Sequence, residues 1–153
     1  MTKYHVKELK LRTVAVQGIV SEEMAKTLKA KIMRLLVEKK KYKDKTYSAH
    51  RLAMDMGTNS RYVSIVFREQ FGMNYATFVS KYRVAEAQTI LSSEEYDSLR
   101  VEDVGEMVGF CSRQSFYAAF YRFLGLTPRE YQQQERKRRE MAIRKRENDT
   151  NEQ

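Results

Sequence analysis

The sequence predicts an all-α protein of about seven helices, arranged as two helix-turn-helix subdomains on either side of a long helix. Three observations carry this. Glycine and proline are scarce, six and one in 153 residues, too few for the many turns of a β-sandwich. Apolar residues recur at helical spacing from Ser21 onward. And two stretches 53 residues apart match position by position: FREQFGMNYATF (Phe67–Phe78) over FYRFLGLTPREY (Phe120–Tyr131).

Residues 1–20 read differently from the rest. Val14 and Val16 flanked by Thr13 and Gln17 predict a short strand or arm that packs on the helices. Pairing with a second chain through an open edge is the alternative use. At Ser21 the period changes. Ser21 is placed to cap a helix, and Glu22 and Glu23 suit the positive end of its dipole. Met24, Leu28, Ile32, Leu35 and Leu36 form its predicted buried stripe. It ends in the lysine-rich EKKKYKDK (Glu38–Lys45), a solvated helix end with phosphate contact as a second role.

In the next segment Ser48 is placed to cap a short helix that buries Leu52, Ala53 and Met56. Gly57 is suited to a left-handed end. After a tight turn, Asn59 caps a second helix that buries Val63, Val66, Phe67 and Phe71 and stops at Gly72. This is the punctuation of a helix-turn-helix. A joining helix is expected from about Tyr75 to Leu91. Tyr75, Phe78, Val79, Tyr82, Ala85 and Ile90 spread too widely for a single stripe, as in a helix covered on two sides. An acidic loop follows, then the second unit.

The second unit repeats the first. Phe67 aligns with Phe120, Phe71 with Leu124, Gly72 with Gly125, Asn74 with Thr127, and Phe78 with Tyr131. Upstream, Val63 aligns with Phe116 and Asn59 with Ser112. Gly57 and Gly109 align once one residue is added to the second turn. At about 100° per residue, Phe116, Ala119, Phe120, Phe123 and Leu124 share the inner face of the later helix. The aromatic run is therefore mostly core, and each buried Phe is worth roughly 1.5–3 kcal/mol. Thr127 is suited to cap the next helix with Pro128 at its first position.

Charge sharpens the functional reading. The formal net charge is +9, and a basic balance points to a polyanionic partner. It is uneven. Residues 1–47 carry a net +8, residues 48–131 a net −1 and residues 132–153 a net +2. The cations of the middle region can bind nucleic acid only if one face collects them. The single cysteine, Cys111, cannot form an internal disulfide. That suits a reducing cytoplasm, and the residue reads as a small packed side chain. No apolar run is long enough to span a bilayer, and no signal peptide is evident. His5 and His50 are far apart, Cys111 has no evident base, and neither metal-ligand spacing nor a phosphate-cradling loop occurs. An enzyme is not expected, nor a cofactor or metal.

GFCSRQSFYAAFYRFLGLTPREY resembles the second helix-turn-helix signature of AraC-type transcription regulators. FVSKYRVAEAQTILSS (Phe78–Ser93) and the first unit resemble the remainder of that DNA-binding domain. The likeness covers about residues 21–133, with units of about 21–74 and 94–133 joined by a helix over about 75–91. Residues 134–153 form a basic tail, helical or disordered. The resemblance implies seven helices and two units presented to successive major grooves on one face of double-stranded DNA. It also marks a departure: Gly105 stands where family members usually carry alanine, which implies a looser helix. Many members carry a separate ligand-binding or dimerisation domain. None is expected here, so the chain resembles the short members that bind as monomers, or a piece of a longer regulator; dimerisation through the N-terminal arm is the alternative.

In a helix-turn-helix, the N-terminal half of the second helix reaches base edges in the major groove. The candidate base-reading residues are Ser60, Arg61, Ser64 and Ile65 in the first unit, and Arg113, Gln114, Tyr117 and Ala118 in the second. Arginine can bond guanine O6 and N7, and glutamine can bond adenine twice. Exposed apolar groups suit the thymine methyl, the role expected of Ile65 and Ala118. Arg68, Tyr121 and Arg122 lie farther along and suit phosphates, which position without specifying. A joining helix of 17–20 residues spans roughly 25–30 Å, against about 34 Å between adjacent major grooves. The RKRR and RKR runs of the tail predict an exposed helix, with phosphate contact as a second role. The acidic stretch around residues 94–106 offers a surface for RNA polymerase. Two other classes share these features: a non-specific architectural DNA binder and a protein-interaction module that does not read DNA.

Overall fold

A computed structural model describes residues 20–152. The predicted strand around Val14 and Val16 lies outside the described residues, as does the whole of the predicted arm over residues 1–20 except Val20. Seven α-helices follow in order: α1 Glu22–Ile32, α2 Ala49–Asp55, α3 Ser60–Val66, α4 Tyr75–Ser92, α5 Val101–Met107, α6 Arg113–Leu124 and α7 Pro128–Asn151. There is no strand among the described residues. Both α1 and α3 end in a π-helical turn, Met33–Glu38 and Phe67–Phe71 respectively. The chain divides into two compact units. One holds the residues up to Lys41 together with Thr46–Val79; the other holds Tyr42–Lys45 and the residues from Ser80 on.

The helix starts are set by side chains. Ser21 Oγ accepts from Met24 N–H at 3.2 Å, Ser48 Oγ from Arg51 N–H at 3.1 Å and Asn59 Oδ1 from Tyr62 N–H at 3.0 Å. Ser112 caps α6 and Thr127 caps α7, each in a reciprocal capping box, with Ser115 and Glu130 respectively. Pro128 opens α7, where its missing N–H costs nothing. The helix ends are set by glycine. Gly72 and Gly125 adopt φ of 67° and 69°, a left-handed conformation that side chains with a Cβ disfavour. Met73 N–H then reaches back to Phe67 O, the wide closing bond of such an end.

The first core is built from Ala25, Leu28, Ile32 and Leu36 of α1 and its π turn. Against them lie Leu52, Ala53 and Met56, and Val63, Ile65, Val66 and Phe67, with Phe78 and Val79 from the start of α4. Met24 is not part of it. Met24 is 42% exposed, and Ala25, one position on, faces the core instead. The predicted stripe is one residue out of phase there because alanine is a weaker hydrophobic signal than methionine.

The second core joins Val84, Ala87, Ile90 and Leu91 of α4 to Val101, Val104, Val108, Phe110, Phe116 and Phe120, with Tyr117, Ala119, Phe123, Leu124 and Tyr131 half buried at its edge. Ala85, expected inside, is exposed; Val84 and Ala87 on either side are the buried residues. Gly105 is buried in α5, and a Cβ added there would stand 2.4 Å from Phe116 Cδ1. The glycine lets α5 approach the Phe116 ring more closely than alanine could.

The segment Tyr42–Lys45 lies between α1 and α2 in sequence but is fastened within the second unit. Arg83 Nε donates to Tyr42 O at 2.5 Å and Lys43 Nζ to Glu86 Oε1 at 3.0 Å; the Tyr42 hydroxyl also donates to Glu86. Burial, then the hydrogen bond to Glu86 and its negative charge, push the Tyr42 phenol well above its ordinary pKa. Gly109 backs onto this segment. A Cβ there would lie 2.6 Å from Lys43 O.

Candidate nucleic-acid interface

In the first unit the exposed face of α3 carries Ser60, Arg61 and Ser64, and Arg68 follows at the start of the π turn. Four of the five residues expected to face DNA from the first unit are thus on the surface. Ile65 is not. It is 4% exposed, so its predicted contact with a thymine methyl is withdrawn. The physical reason is that α3 packs on both α1 and α2. A helix covered from two directions buries a wider arc than a single stripe. Ser60 is tied to the preceding helix: its Oγ lies 3.4 Å from His50 Nδ1. That contact joins the two helices of the motif across their turn.

In the second unit α6 exposes Arg113, Gln114, Ala118, Tyr121 and Arg122, and Tyr121 is 60% exposed. Tyr117 is half buried. Its ring meets Phe116 edge-on at 6.0 Å. The Arg113 guanidinium lies over the same ring, 4.9 Å from its centroid. Glu102 of α5 stands below: its Oε1 is 3.5 Å from Arg113 Nε and 3.5 Å from the Tyr117 hydroxyl. Arg113 is therefore held by a ring and a carboxylate while 64% of its side chain stays in solvent. Sequence reasoning missed Glu102. It lies in another helix, and no local spacing links it to Arg113.

Cys111 is exposed in the turn before α6, not packed as expected. The hydrophobic work of that turn is done by Phe110, 5% exposed and 5.2 Å from the Phe116 ring. The carboxylates of the acidic stretch are largely paired inside the second unit. Arg100 NH2 meets Asp103 Oδ1 at 2.8 Å and Lys45 Nζ meets Glu106 Oε1 at 2.8 Å. Asp97 accepts from Arg139 NH2 at 2.6 and 2.8 Å and from Arg136 Nε at 3.1 Å. Among the described residues no group of acidic, histidine or cysteine side chains could hold a metal ion. Nor is any helix of the described residues long and apolar enough to cross a membrane.

Two capped helices, each ending at a left-handed glycine and each exposing polar residues in its first turns, define a pair of helix-turn-helix DNA-binding units. A helix-turn-helix domain model matches residues 52–134. The chain belongs to the AraC-type helix-turn-helix transcription regulators and carries their DNA-binding domain.

It is similar to the HTH-type transcriptional regulator YtdP of Bacillus subtilis, 29% identical over 85 residues, or 56% of this chain and 11% of the relative. It is also similar to the HTH-type transcriptional activator RhaR of Yersinia pseudotuberculosis, 34% identical over 68 residues, or 44% of this chain and 22% of the relative. The chain thus spans a small part of the length of these relatives. Among solved structures, the C-terminal domain of the two-component response regulator yesN from Fusobacterium nucleatum superposes with a TM-score of 0.59 at 24% identity, over 68% of this chain and 98% of that one. A regulator with an AraC-type DNA-binding domain from Chromobacterium violaceum gives 0.59 at 20%, over 70% and 93%. At these identities the structural likeness speaks for the fold alone.

Proposed function

We propose that the protein is a sequence-specific regulator that binds double-stranded DNA by setting α3 and α6 into successive major grooves. The observation that carries this is the equivalence of the two helices. Each starts at a polar cap, Asn59 or Ser112, and buries an aromatic at the matching place, Phe67 or Phe120. Each leaves its first exposed turns to residues that can read base edges. Arg61 and Arg113 are the guanine readers in this scheme and Gln114 the adenine reader. Ser60 and Ser64 bond base edges, and Ala118 meets a thymine methyl. Tyr117 contributes its hydroxyl edge and supports Arg113. Arg68, Tyr121 and Arg122 bind phosphates and fix the register.

Selection of bound sequences from a random duplex pool, followed by affinity measurements on the winner at several salt concentrations, tests the reading. The expected result is two short boxes about one helical turn apart. Equal affinity for every duplex with one steep salt slope would identify an architectural binder instead. No binding to any duplex would leave a protein-interaction module.

A further inference from the structure

Six of the eight arginines and lysines of α7 fall into two groups, Arg129 and Arg146 belonging to neither. Arg136 and Arg139 turn toward the loop after α4. Arg136 NH2 donates to Asp97 O at 2.6 Å, Arg139 donates to Ser92 O, and both guanidinium groups hold the Asp97 carboxylate. Gln132, 7% exposed, lies on the same side. These contacts fix the face of the helix that meets the second unit. At about 100° per residue, Lys137, Arg138, Arg144 and Lys145 fall on the opposite side. All four are exposed. Arg138 makes one ion pair, to Glu135 at 3.0 Å, while 75% of its side chain is exposed. Lys137, Arg144 and Lys145 have no ion-pair partner among the described residues. The acidic residues Glu140 and Glu147 fall on the flank, leaving the outward arc from Gln133 to Asn148 without a carboxylate.

We propose that this outward face of α7 binds the DNA phosphate backbone flanking the box read by α6. The proposal rests on the DNA-binding reading given above and adds a second, non-reading contact to it. Charge complementarity selects the occupant: four cations on one side of a helix, spaced in pairs seven residues apart, meet a regular array of phosphates. Continuity supports it, because only Gly125–Thr127 separate α7 from α6. The domain match ends at residue 134, so these cations lie beyond the part of the chain that the family model describes. Met141, 70% exposed, lies among them. One exposed methionine does not make an apolar patch for a protein partner.

The test compares the full chain with a variant carrying Lys137→Gln, Arg138→Gln, Arg144→Gln and Lys145→Gln. Glutamine keeps the helix propensity while removing the charge, and circular dichroism checks that the helix content is retained. Binding is measured on the selected site with long and with trimmed flanks. The variant should bind the long duplex roughly ten- to a hundredfold more weakly at low salt. Its plot of log affinity against log salt should flatten by about 2–4, near 0.9 for each phosphate that is no longer neutralised. Hydroxyl-radical protection should shorten on the α6 side, and the order of preference among sequences should stay the same. Equal affinity, slope and footprint for the two proteins would overturn the proposal while leaving the DNA-binding reading intact. A wild-type chain that binds no duplex would overturn both. A variant that binds DNA normally but no longer binds a protein partner would assign the face to that partner and overturn the proposal too.

Discussion

Phe67 of the first unit and Phe120 of the second are both fully buried, and each meets an aromatic eleven residues later. Phe67 lies 5.3 Å from Phe78 at 70°, and Phe120 lies 5.6 Å from Tyr131 at 64°. The glycine that ends the second helix of each motif has nearly the same φ. Between these fixed points the two units diverge. Gly57 faces open space, whereas Gly109 is pressed against the Tyr42–Lys45 segment. In the first unit the second helix of the motif widens into a π turn; in the second unit it stays α-helical to Leu124. Arg61 is exposed without a partner among the described residues, whereas Arg113 is held by Glu102 and the Tyr117 ring. The repeat is kept where buried aromatics and helix ends demand it and is free to change at the turn. In the second unit Arg113 has a carboxylate and an aromatic ring beside it that Arg61 lacks.

The sharpest way to break the comparison is at the shared aromatics. Phe67→Ala and Phe120→Ala should each cost about 3–5 kcal/mol, by matched amounts, in urea unfolding of the full chain. A difference above about 2 kcal/mol would mean that the two pairs do not do the same work.

The turns should show the reverse, a deliberate mismatch. At Gly57 alanine meets no neighbour, so only the left-handed conformation counts against it, roughly 1–2 kcal/mol. At Gly109 the same strain, at φ of 108°, adds to a Cβ driven into Lys43 O. About 3 kcal/mol or more is expected. Gly105→Ala separates packing from propensity. Helix propensity alone favours alanine by about 1 kcal/mol, but collision with Phe116 should reverse the sign and leave a net loss of about 1–2 kcal/mol.

These glycines mark how much was legible beforehand. The helices, caps, turns and the repeat could be read directly, because each depends on residues a few positions apart. The inner faces could be read wherever one side of a helix is buried. Ile65 could not, because α3 is covered by two helices whose directions no local pattern records. Cys111 was expected to be packed, but the buried residue of that turn is its neighbour Phe110. The tether from Glu102 and the clamp on Asp97 join residues 11 and about 40 positions apart, and charge counts cannot distinguish a spent arginine from a free one.

The arginines proposed to read bases come next in size. Arg113→Ala should weaken binding to the selected site by about 1–3 kcal/mol and relax preference in one box. Arg61→Ala should act on the other box and fall in the lower half of that range. A side chain already held in place surrenders less freedom on binding, so more of its interaction is realised as affinity. Uniform weakening across all sequences would move Arg113 from base reading to phosphate contact. A larger loss from Arg61 would end the case for preorganisation.

The smallest effect is expected from acid, and it should be visible in the second unit's α7. Burial raises the Asp97 pKa, but hydrogen bonds from Arg139 and Arg136 and their charges outweigh it and hold the carboxyl below its ordinary value. A depressed carboxylate adds stability above its unfolded pKa near 4, and that contribution disappears as pH falls through the folded value. Protection of the α7 amides, with the intrinsic pH dependence of exchange divided out, should therefore be constant from pH 7 down to about 5 and fall below about 4. Asp97→Asn, which keeps the shape and removes the charge, should shrink that step, leaving only the part due to Glu130 at the helix start, and should leave α7 opening more readily above the step but not below it. If the wild-type protection of α7, corrected for intrinsic exchange, is flat through pH 3, the clamp does not anchor the helix, and the cations on its outer face are not held at a fixed angle to α6.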